Sequence, residues 1–264
     1  MFLLTIILLL SAGALPAGAQ IGPASPYYGC GKIDAATPPV VPFDAALVYL
    51  TSDSGTKTAG GNSAGEGDTV ATWLSQVPTT DGDLTQGLAI YHAGGPGGQP
   101  FLSITNTEWQ SRAQNSTRDY TCPLPYTAFA VFRTKSVDTT DFNAFMFIGL
   151  NCQLGYTASG FELITFDDVS LQTTIPASLS ANAWHEVTAV VSNNYCALRI
   201  DGAEINHNAA AHTTFFNWER IGSSTGAANW IGDYVAALVF QTNFTAAVLG
   251  SYETNLMTKY GIPH

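Results

Sequence analysis

The second half of the chain is a series of short runs of β-branched and aromatic residues, separated by turn residues. Short strands at close spacing are typical of an antiparallel sandwich or barrel. Few helical periods lie between the runs, which argues against a parallel sheet with crossover helices. The pattern therefore predicts an all-β fold with strands at Tyr126–Arg133, Phe145–Leu150, Phe161–Phe166, Leu171–Ile175, Trp184–Ser192, Cys196–Ile200, Ala203–Asn208 and Tyr234–Gln241.

The first half of the chain carries fewer apolar runs. Two short strands are predicted, at Leu47–Leu50 and Val70–Trp73. The Gly- and Ser-rich stretches 51–69 and 78–100 are expected to be loops. In the second half, Asp201-Gly202 separates two runs and predicts a hairpin, because a type I′ turn needs two residues with positive φ.

One amphipathic helix is predicted near the end of the chain. Its apolar residues recur at intervals of three, four and four, which is a helical period. Thr245 suits the N-cap and Gly261 the position just after the helix, where a left-handed residue is favoured. The apolar stripe consists of Leu249, Tyr252, Leu256 and Tyr260.

The N-terminal residues are not expected to belong to the folded domain. Residues 1–19 combine the apolar run Phe2–Leu10 with the A-x-A site Ala17-Gly18-Ala19, the pattern of a secretory signal peptide. No Lys or Arg precedes the run, so a retained N-terminal anchor is the alternative. Residues 20–44 predict an extended arm and residues 45–264 one domain, with no membrane span after signal cleavage. The expected location is extracellular, or on a cell or particle surface.

The amino-acid composition excludes several classes of binding partner. The 264 residues include 9 Lys+Arg and 20 Asp+Glu, giving a formal net charge of −11. Nucleic-acid binding is disfavoured, because phosphate contacts need a cationic face. Charged residues are 11% of the chain, too few for a disordered or coiled-coil protein. An acidic chain suits neutral glycans, cations such as Ca²⁺ or basic protein partners.

Four cysteines follow the signal peptide, and an even count in a secreted chain predicts two disulfides. Counting reversals of the predicted strands places Cys122 and Cys152 at one end of the sandwich and Cys196 at the other. The predicted pairs are therefore Cys122–Cys152 and Cys30–Cys196. Two sequons, at Asn115 and Asn243, are candidate glycosylation sites.

An ordered set of motifs resembles the laminin-G-like group of concanavalin A-like jelly rolls. The set includes Phe129-Ala-Val-Phe-Arg133, Trp184-His-Glu-Val-Thr-Ala, Leu198-Arg-Ile-Asp-Gly202, Ile231–Phe240 and the closing Lys259-Tyr-Gly261. It covers about residues 45–262. The resemblance implies an antiparallel jelly-roll β-sandwich with a short C-terminal helix. That fold hosts lectins, hydrolases, lyases and structural modules, so it implies no single activity.

The sequence lacks the catalytic motifs of similar folds. No strand carries the E-x-D-x-x-E of similar β-glucan hydrolases, and no Arg/Glu/Arg strand with a Gln-x-His indicates an alginate-lyase-like member. Ser63 and Ser224 lie in G-x-S-x-G matches without the strand–turn–helix context of a nucleophile elbow. His185 is expected to be a hydrogen-bonded structural histidine. The chain is therefore expected not to be an enzyme.

Aromatic residues outside the core are the candidates for stacking on sugar rings. Trp109, Tyr156 and Trp218 lie in polar or Gly-flanked stretches. Anchoring of loops onto the sandwich is the alternative role for these rings. Trp73, Trp184 and Trp230 lie within predicted strands and are expected in the core.

Acidic turn residues predict a Ca²⁺ site. The same count of strand reversals gathers three loops on one rim, and Ca²⁺ prefers six to eight oxygens from such loops. The predicted ligands are Asp138, Asp141, Asp167 and Asp168, with Asn193 and Asn194 nearby. A solvated acidic rim without an ion is the alternative. Zinc binding by His207 is disfavoured, because strand alternation places Glu204 on the opposite face.

The sequence thus favours a secreted, non-catalytic β-sandwich that binds extracellular glycan or protein. A structural surface, coat or matrix component that self-assembles is one alternative. A divergent glycoside hydrolase or polysaccharide lyase is the other.

Overall fold

The computed structural model of the protein describes residues 45–77, 82–105, 109–111, 121–122, 124–137, 143–148, 152–157, 160–167, 170–209, 216–217, 220–221 and 230–264. The first strands are β1 (Val48–Thr51), β2 (Thr56–Lys57), β3 (Thr69–Trp73), β4 (Leu84–His92), β5 (Phe101–Thr105), β6 (Trp109–Ser111), β7 (Thr121–Cys122), β8 (Tyr126–Val137) and β9 (Asn143–Ile148). The later strands are β10 (Cys152–Thr157), β11 (Gly160–Asp167), β12 (Ser170–Ala177), β13 (Trp184–Ser192), β14 (Tyr195–Ile200), β15 (Ala203–Asn208), β16 (Phe216–Asn217), β17 (Arg220–Ile221) and β18 (Trp230–Phe240). A helix, α1 (Ala246–Tyr260), follows them.

The strands pair along one antiparallel path. The order is β12-β11-β10-β9-β17-β6-β4-β5-β18-β8-β13-β14-β15, while β1 pairs with β18 and β3 joins β2 to β4. A separate ribbon is formed by β7 and β16. The path folds over, so that its end strands β12 and β15 contact each other. The all-β antiparallel sandwich predicted from the sequence is confirmed.

Strands β18, β8, β13, β14 and β15 are called the front sheet below. Its strands β18, β8, β13 and β14 contribute buried apolar residues on both faces, whereas the edge strand β15 is mostly exposed. In β8, the side chains of Tyr126, Ala128, Ala130 and Phe132 belong to the core between the two halves of the sandwich. Phe129 and Val131 point the other way, into a second core beneath α1. A strand covered on both faces reads as a nearly continuous apolar run, which explains the sequence of β8.

Helix α1 covers part of the outer face of the front sheet. The Thr245 hydroxyl accepts a hydrogen bond from the Val248 amide at the N-terminus, and Gly261 ends the helix with φ of 61°. The stripe Leu249, Tyr252, Leu256 and Tyr260 is buried against the sheet. The helix and both of its caps are confirmed.

Several strands were not predicted, and β4 and β10 are the longest of them. The nine-residue strand β4 lies inside the stretch 78–100 that was expected to be loop, because Gly87 and the exposed Leu88 interrupt its alternation of apolar and polar residues. The strand β10 was missed because Gly155 interrupts its short pattern, at a shift of register against β9. The predicted hairpin at Asp201-Gly202 is confirmed, with φ of 50° and 78°.

No helix in the described part of the chain, α1 included, is both long enough and apolar enough to cross a membrane.

Candidate functional sites on the front sheet

Four side chains form a row across the outer face of the front sheet, beside the area that α1 covers. Trp184 on β13 lies opposite Arg133 on β8, and Arg133 lies opposite Asp233 on β18. Asp233 in turn lies opposite Ser103 on β5. Directly opposed residues of neighbouring strands point to the same face, so the pairing register alone assembles this row.

Asp233 is the electrostatic centre of the row. Its carboxylate is fully buried and accepts hydrogen bonds from Arg133 Nε at 2.8 Å, Lys135 Nζ at 2.6 Å and Ser103 Oγ at 2.6 Å. The Arg133 and Lys135 side chains remain 27% and 37% exposed. A buried carboxylate that is hydrogen-bonded by several donors fixes those donors in place. Arg133 and Lys135 therefore share one buried carboxylate while both side chains stay partly open to solvent.

Aromatic rings extend the row along the same face. The Arg133 guanidinium lies 4.9 Å from the centroid of the Trp184 ring, within cation–π range. Phe101 packs edge-on to Trp184 at 5.9 Å between centroids, and His92 stacks on Phe101 at 4.7 Å. Trp184, Phe101 and His92 are all half-buried. We call the five residues His92, Phe101, Arg133, Lys135 and Trp184 the aromatic–cationic strip.

The strip has the features of a ligand surface on a rigid scaffold. Aromatic faces can pack against the C–H groups of a sugar ring, while fixed N–H donors orient its hydroxyl or carboxylate oxygens. Glu66 borders the strip and contacts His92 Nδ1 at 2.9 Å. The pKa of Glu66 lies below its usual value, because the Ala93 amide and His92 hydrogen-bond its carboxylate.

A second group of polar side chains lies at the end of the front sheet where β13 begins. The Ser180 hydroxyl lies 2.8 Å from His185 Nε2, and His185 Nδ1 lies 2.8 Å from Asp201 Oδ2. Asp201 also accepts a hydrogen bond from the Glu186 amide at 2.9 Å. The expectation that His185 is hydrogen-bonded is confirmed. The trio joins the loop before β13 to the turn between β14 and β15.

A buried ionic cluster lies between the front sheet and α1. Arg199 on β14 holds Glu253 of α1 through two hydrogen bonds, at 2.6 and 3.0 Å. Glu186 on β13 is fully buried nearby, with Thr188 Oγ1 donating to its Oε1 at 2.6 Å. Burial, reinforced by the negative charge of Glu253, raises the pKa of Glu186 well above its usual range. Burial at this position therefore favours the neutral form of Glu186 over the ionised form.

The aromatic residues proposed for stacking fare differently. Tyr156 is only 8% exposed and packs in the core, where its hydroxyl donates to Thr134 at 3.1 Å. No ring face of Tyr156 is left for a sugar, so its predicted stacking role is wrong. The Trp109 side chain and Trp218 lie outside the described part of the structure. Trp184, expected in the core, lies instead on the strip, whereas Trp73 is buried as expected.

One loop assigned to the predicted Ca²⁺ rim does not lie where the sequence argument placed it. Since β8 and β13 are antiparallel, Val137 at the end of β8 and the turn at Asn193 and Asn194 after β13 lie at opposite ends of the front sheet. The unpredicted strand β10 shifted the count of reversals by one. Asp138, Asp141 and Asp168 lie outside the described residues, as does the Asp167 side chain. Their role in cation binding stays a prediction.

The predicted placement of Cys122 and Cys196 at opposite ends of the sandwich is wrong, also because β10 was missed. Tyr126, Val191 and Cys196 form one row across β8, β13 and β14. Cys122, four residues before Tyr126, is therefore at the chain end of β8 that lies beside Cys196, and the two are not at opposite ends. Cys196 is buried in the core. Cys30 and the side chains of Cys122 and Cys152 lie outside the described residues, so the pairing stays a prediction.

Two smaller expectations can be compared with the structure. Asn243 is exposed just before α1, while Asn115 lies outside the described residues. Glu204 and His207 lie on one face rather than on opposite faces, because a register shift in the β14–β15 pair brings them within 2.9 Å. No group of three or more metal-ligating side chains occurs among the described residues.

The fold is shared with several solved structures. The chain is similar to Trypanosoma rangeli sialidase in complex with a difluoro-KDN ligand, at 12% identity over 87% of this chain and a TM-score of 0.56. It is also similar to a GH54 α-L-arabinofuranosidase, at 11% identity over 81% and a TM-score of 0.58. The chain spans 37% and 63% of these two proteins.

A third likeness covers nearly all of the other chain. Domain 4 of a GH43 extracellular arabinanase from Geobacillus stearothermophilus, in complex with arabinotriose, is 10% identical over 78% of this chain and 96% of its own length, with a TM-score of 0.51. No family model and no curated protein sequence matches the chain. At these identities the likenesses establish the β-sandwich fold.

Proposed function

We propose that this chain is a secreted β-sandwich of the laminin-G-like group that binds extracellular glycan through the aromatic–cationic strip. The observation that carries the proposal is the strip itself. Half-buried Trp184 and Phe101 lie beside Arg133 and Lys135, which the buried Asp233 holds in place. Secretion rests on the N-terminal sequence pattern, and the laminin-G-like assignment rests on the ordered motifs.

Binding is favoured over glycoside hydrolysis at the strip. Retaining and inverting glycosidases use two carboxyl groups that flank the scissile bond. Among the described residues of the strip and its border, Asp233 is buried beneath two cations, and Glu66 is engaged by His92 and the Ala93 amide. Neither carboxylate is arranged as an acid or base for such a reaction.

The proposal is supported by proteins of the same fold. Its structural neighbours include two glycosidases and a domain in complex with arabinotriose. Another neighbour, at 9% identity and a TM-score of 0.51, is the receptor-binding domain of botulinum neurotoxin type G. Glycan recognition is thus compatible with this sandwich, and the strip supplies a concrete surface for it.

A glycan array with matched variants tests the proposal. Wild-type protein should bind a defined set of glycans, and Trp184→Ala should weaken binding about two- to twelvefold, as expected for loss of one aromatic contact of about 0.5–1.5 kcal/mol. Lys135→Gln should also weaken binding, most for glycans that carry carboxylate or sulfate. Lys57→Gln serves as control, because Lys57 Nζ donates to Ser63 Oγ at 3.1 Å and Lys57 is not a member of the strip.

The outcome also separates the alternatives. Absence of any glycan hit for folded wild-type protein overturns the proposal, and ordered self-assembly in that case supports a structural surface or matrix component. Binding that Trp184→Ala and Lys135→Gln both leave unchanged overturns the assignment to the strip.

A further inference from the structure

We propose that Ser180, His185 and Asp201 form an acyl-ester hydrolysis site, which goes beyond the proposed binding function. Ser180 would be the nucleophile, His185 the general base and Asp201 the residue that orients the imidazole. The nitrogen atoms are matched to these roles. Nε2 faces the serine hydroxyl and Nδ1 faces the carboxylate, each at 2.8 Å. This is the order of contacts by which a serine nucleophile is activated.

The fold explains why the three side chains meet. Asp201 occupies the first position of the type I′ turn between β14 and β15, with φ of 50°. Its Oδ1 accepts the Glu186 amide, which leaves Oδ2 directed at His185 Nδ1. A carboxylate at Nδ1 keeps the ring proton on that nitrogen, so that Nε2 is free to accept the hydroxyl proton. The turn that carries Asp201 and the strand that carries His185 therefore fix the orientation of the imidazole before any substrate binds.

Ser180 is positioned differently from the other serines considered. It is exposed in the loop before β13, and the amide of Asn182 fastens this loop to Thr134 of β8 at 2.8 Å. The substrate can reach its hydroxyl from solvent while His185, only 12% exposed, stays fixed. Ser63, in a G-x-S-x-G match, instead contacts Lys57 Nζ at 3.1 Å. An ammonium group cannot accept the hydroxyl proton.

The reaction balances with water as the only co-reactant. Ser180 Oγ attacks the ester carbonyl carbon while its proton passes to His185 Nε2. The alcohol leaves with that proton, which gives an acyl-Ser180. Water then attacks the acyl carbon, His185 takes and returns a proton, and the carboxylic acid is released.

The expected substrates are acyl esters with good leaving groups, such as activated or acetyl esters. Preorganised oxyanion donors contribute about 10²- to 10³-fold in serine hydrolases. Among the described residues we assign no such donor, so slow turnover of unactivated amides is expected. The sequence predicted a non-catalytic chain because it lacks paired carboxylates, lyase motifs and a nucleophile elbow. The trio belongs to none of these three motif classes.

A fluorophosphonate probe provides the test. The probe phosphonylates an activated serine by displacing fluoride, so peptide mapping of the full chain should find the label on Ser180 and not on Ser63. His185→Gln should slow labelling about 100-fold, the usual contribution of a general base. Asp201→Asn keeps a residue that tolerates positive φ and should also slow labelling, while the melting temperature shows whether the turn remains folded.

Hydrolysis of p-nitrophenyl acetate gives a second readout. Ser180→Ala should abolish the burst of p-nitrophenol and leave the melting temperature unchanged, whereas Ser63→Ala should match the wild type in both. The proposal is overturned if folded wild-type protein is not labelled on Ser180. It is equally overturned if His185→Gln is labelled as fast as the wild type, because the trio is then only a tether between the loop and the turn.

Discussion

Glu186 shows how burial of a single carboxyl group makes stability depend on pH. It lies on the helix-facing side of β13, fully buried, and its pKa is raised first by burial and then by the charge of Glu253. Among the described residues its Oε2 has no hydrogen-bond partner. An ionised carboxylate in this position would lack the solvation that water gives it. Folding therefore strengthens the binding of a proton to Glu186.

The sign of the pH dependence follows from this proton. The stabilising contribution of protonated Glu186 is fully present below the pKa of an unfolded-chain glutamate, which is about 4.3. This contribution is lost as the pH rises towards the pKa of Glu186 in the folded protein. Within that window the free energy of unfolding should fall by up to about 1.4 kcal/mol per pH unit. Glu186→Gln mimics the neutral acid, so its stability relative to the wild type should increase as the pH rises above about 4.3. Denaturant unfolding at several pH values measures the difference.

Glu66 provides a control of opposite sign. The pKa of Glu66 is lowered by the Ala93 amide and by His92, so its stabilising effect is present above the unfolded pKa and lost on acidification. Glu66→Gln should therefore not gain stability at high pH. A Glu186→Gln variant whose advantage does not grow with pH would contradict a neutral, buried Glu186.

Individual site residues were the hardest feature to predict from the sequence. Arg133 and Lys135 stand two positions apart on β8, and Asp233 interrupts an apolar strand. Each is a local sign of a polar face, but their meeting depends on the β8–β18 register, which includes two shifts. Tyr156 illustrates the reverse error, since its Gly-flanked sequence reads as a loop although the ring is buried.

At the scale of elements, one ion pair joins α1 to the front sheet. Arg199 binds both carboxylate oxygens of Glu253, and its Nη2 also donates to the Gly202 carbonyl at 2.6 Å. The Arg199 side chain is 18% exposed and that of Glu253 1%. A pair so shielded from water is costly to break, because the remaining partner is left buried and charged.

Truncation of this arginine should loosen the helix. Arg199→Ala should lower the free energy of unfolding by about 3–5 kcal/mol, the usual cost of leaving one buried charge unpaired. Lys259→Ala is the matched control, because its 3.0 Å pair with Asp53 is part-exposed and such surface pairs contribute about 0–1 kcal/mol. Denaturant unfolding compares the two, and hydrogen exchange follows the amides of α1. Equal losses for both variants would contradict the role given to Arg199.

Elements were more predictable than their arrangement. The helix α1 and the β14–β15 hairpin follow from local rules, namely a 3.6-residue period, caps and a turn that needs positive φ. Strand order depends on contacts far apart in sequence. One missed strand, β10, was enough to reverse the expected ends of all later strands, which moved Asn193 and Cys196 to the opposite end. Counting reversals therefore works only when every strand is found.

At the scale of the whole molecule, charge is unevenly distributed. The chain carries a formal net charge of −11, yet Arg133 and Lys135 share a single buried carboxylate on the strip. Over long distances the net charge repels anions, while at contact range the part-exposed Arg133 and Lys135 can attract an anionic group. Salt screens the first effect more than the second, because exposed charges far apart are screened most. Association with an acidic glycan should for this reason depend on ionic strength differently from association with a neutral one.

The excess negative charge should also make folding sensitive to salt. At pH 7 the melting temperature should rise as NaCl increases from about 10 mM to about 500 mM, because the screening length falls from about 30 Å to under 8 Å and self-repulsion weakens. A falling melting temperature would show that the salt-sensitive ion pairs outweigh the repulsion.

Comparison of CaCl₂ with MgCl₂ at equal ionic strength separates screening from a specific site. A further rise with Ca²⁺ that Asp141→Ala removes would support the predicted cation site, whereas equal curves for the two salts would contradict it.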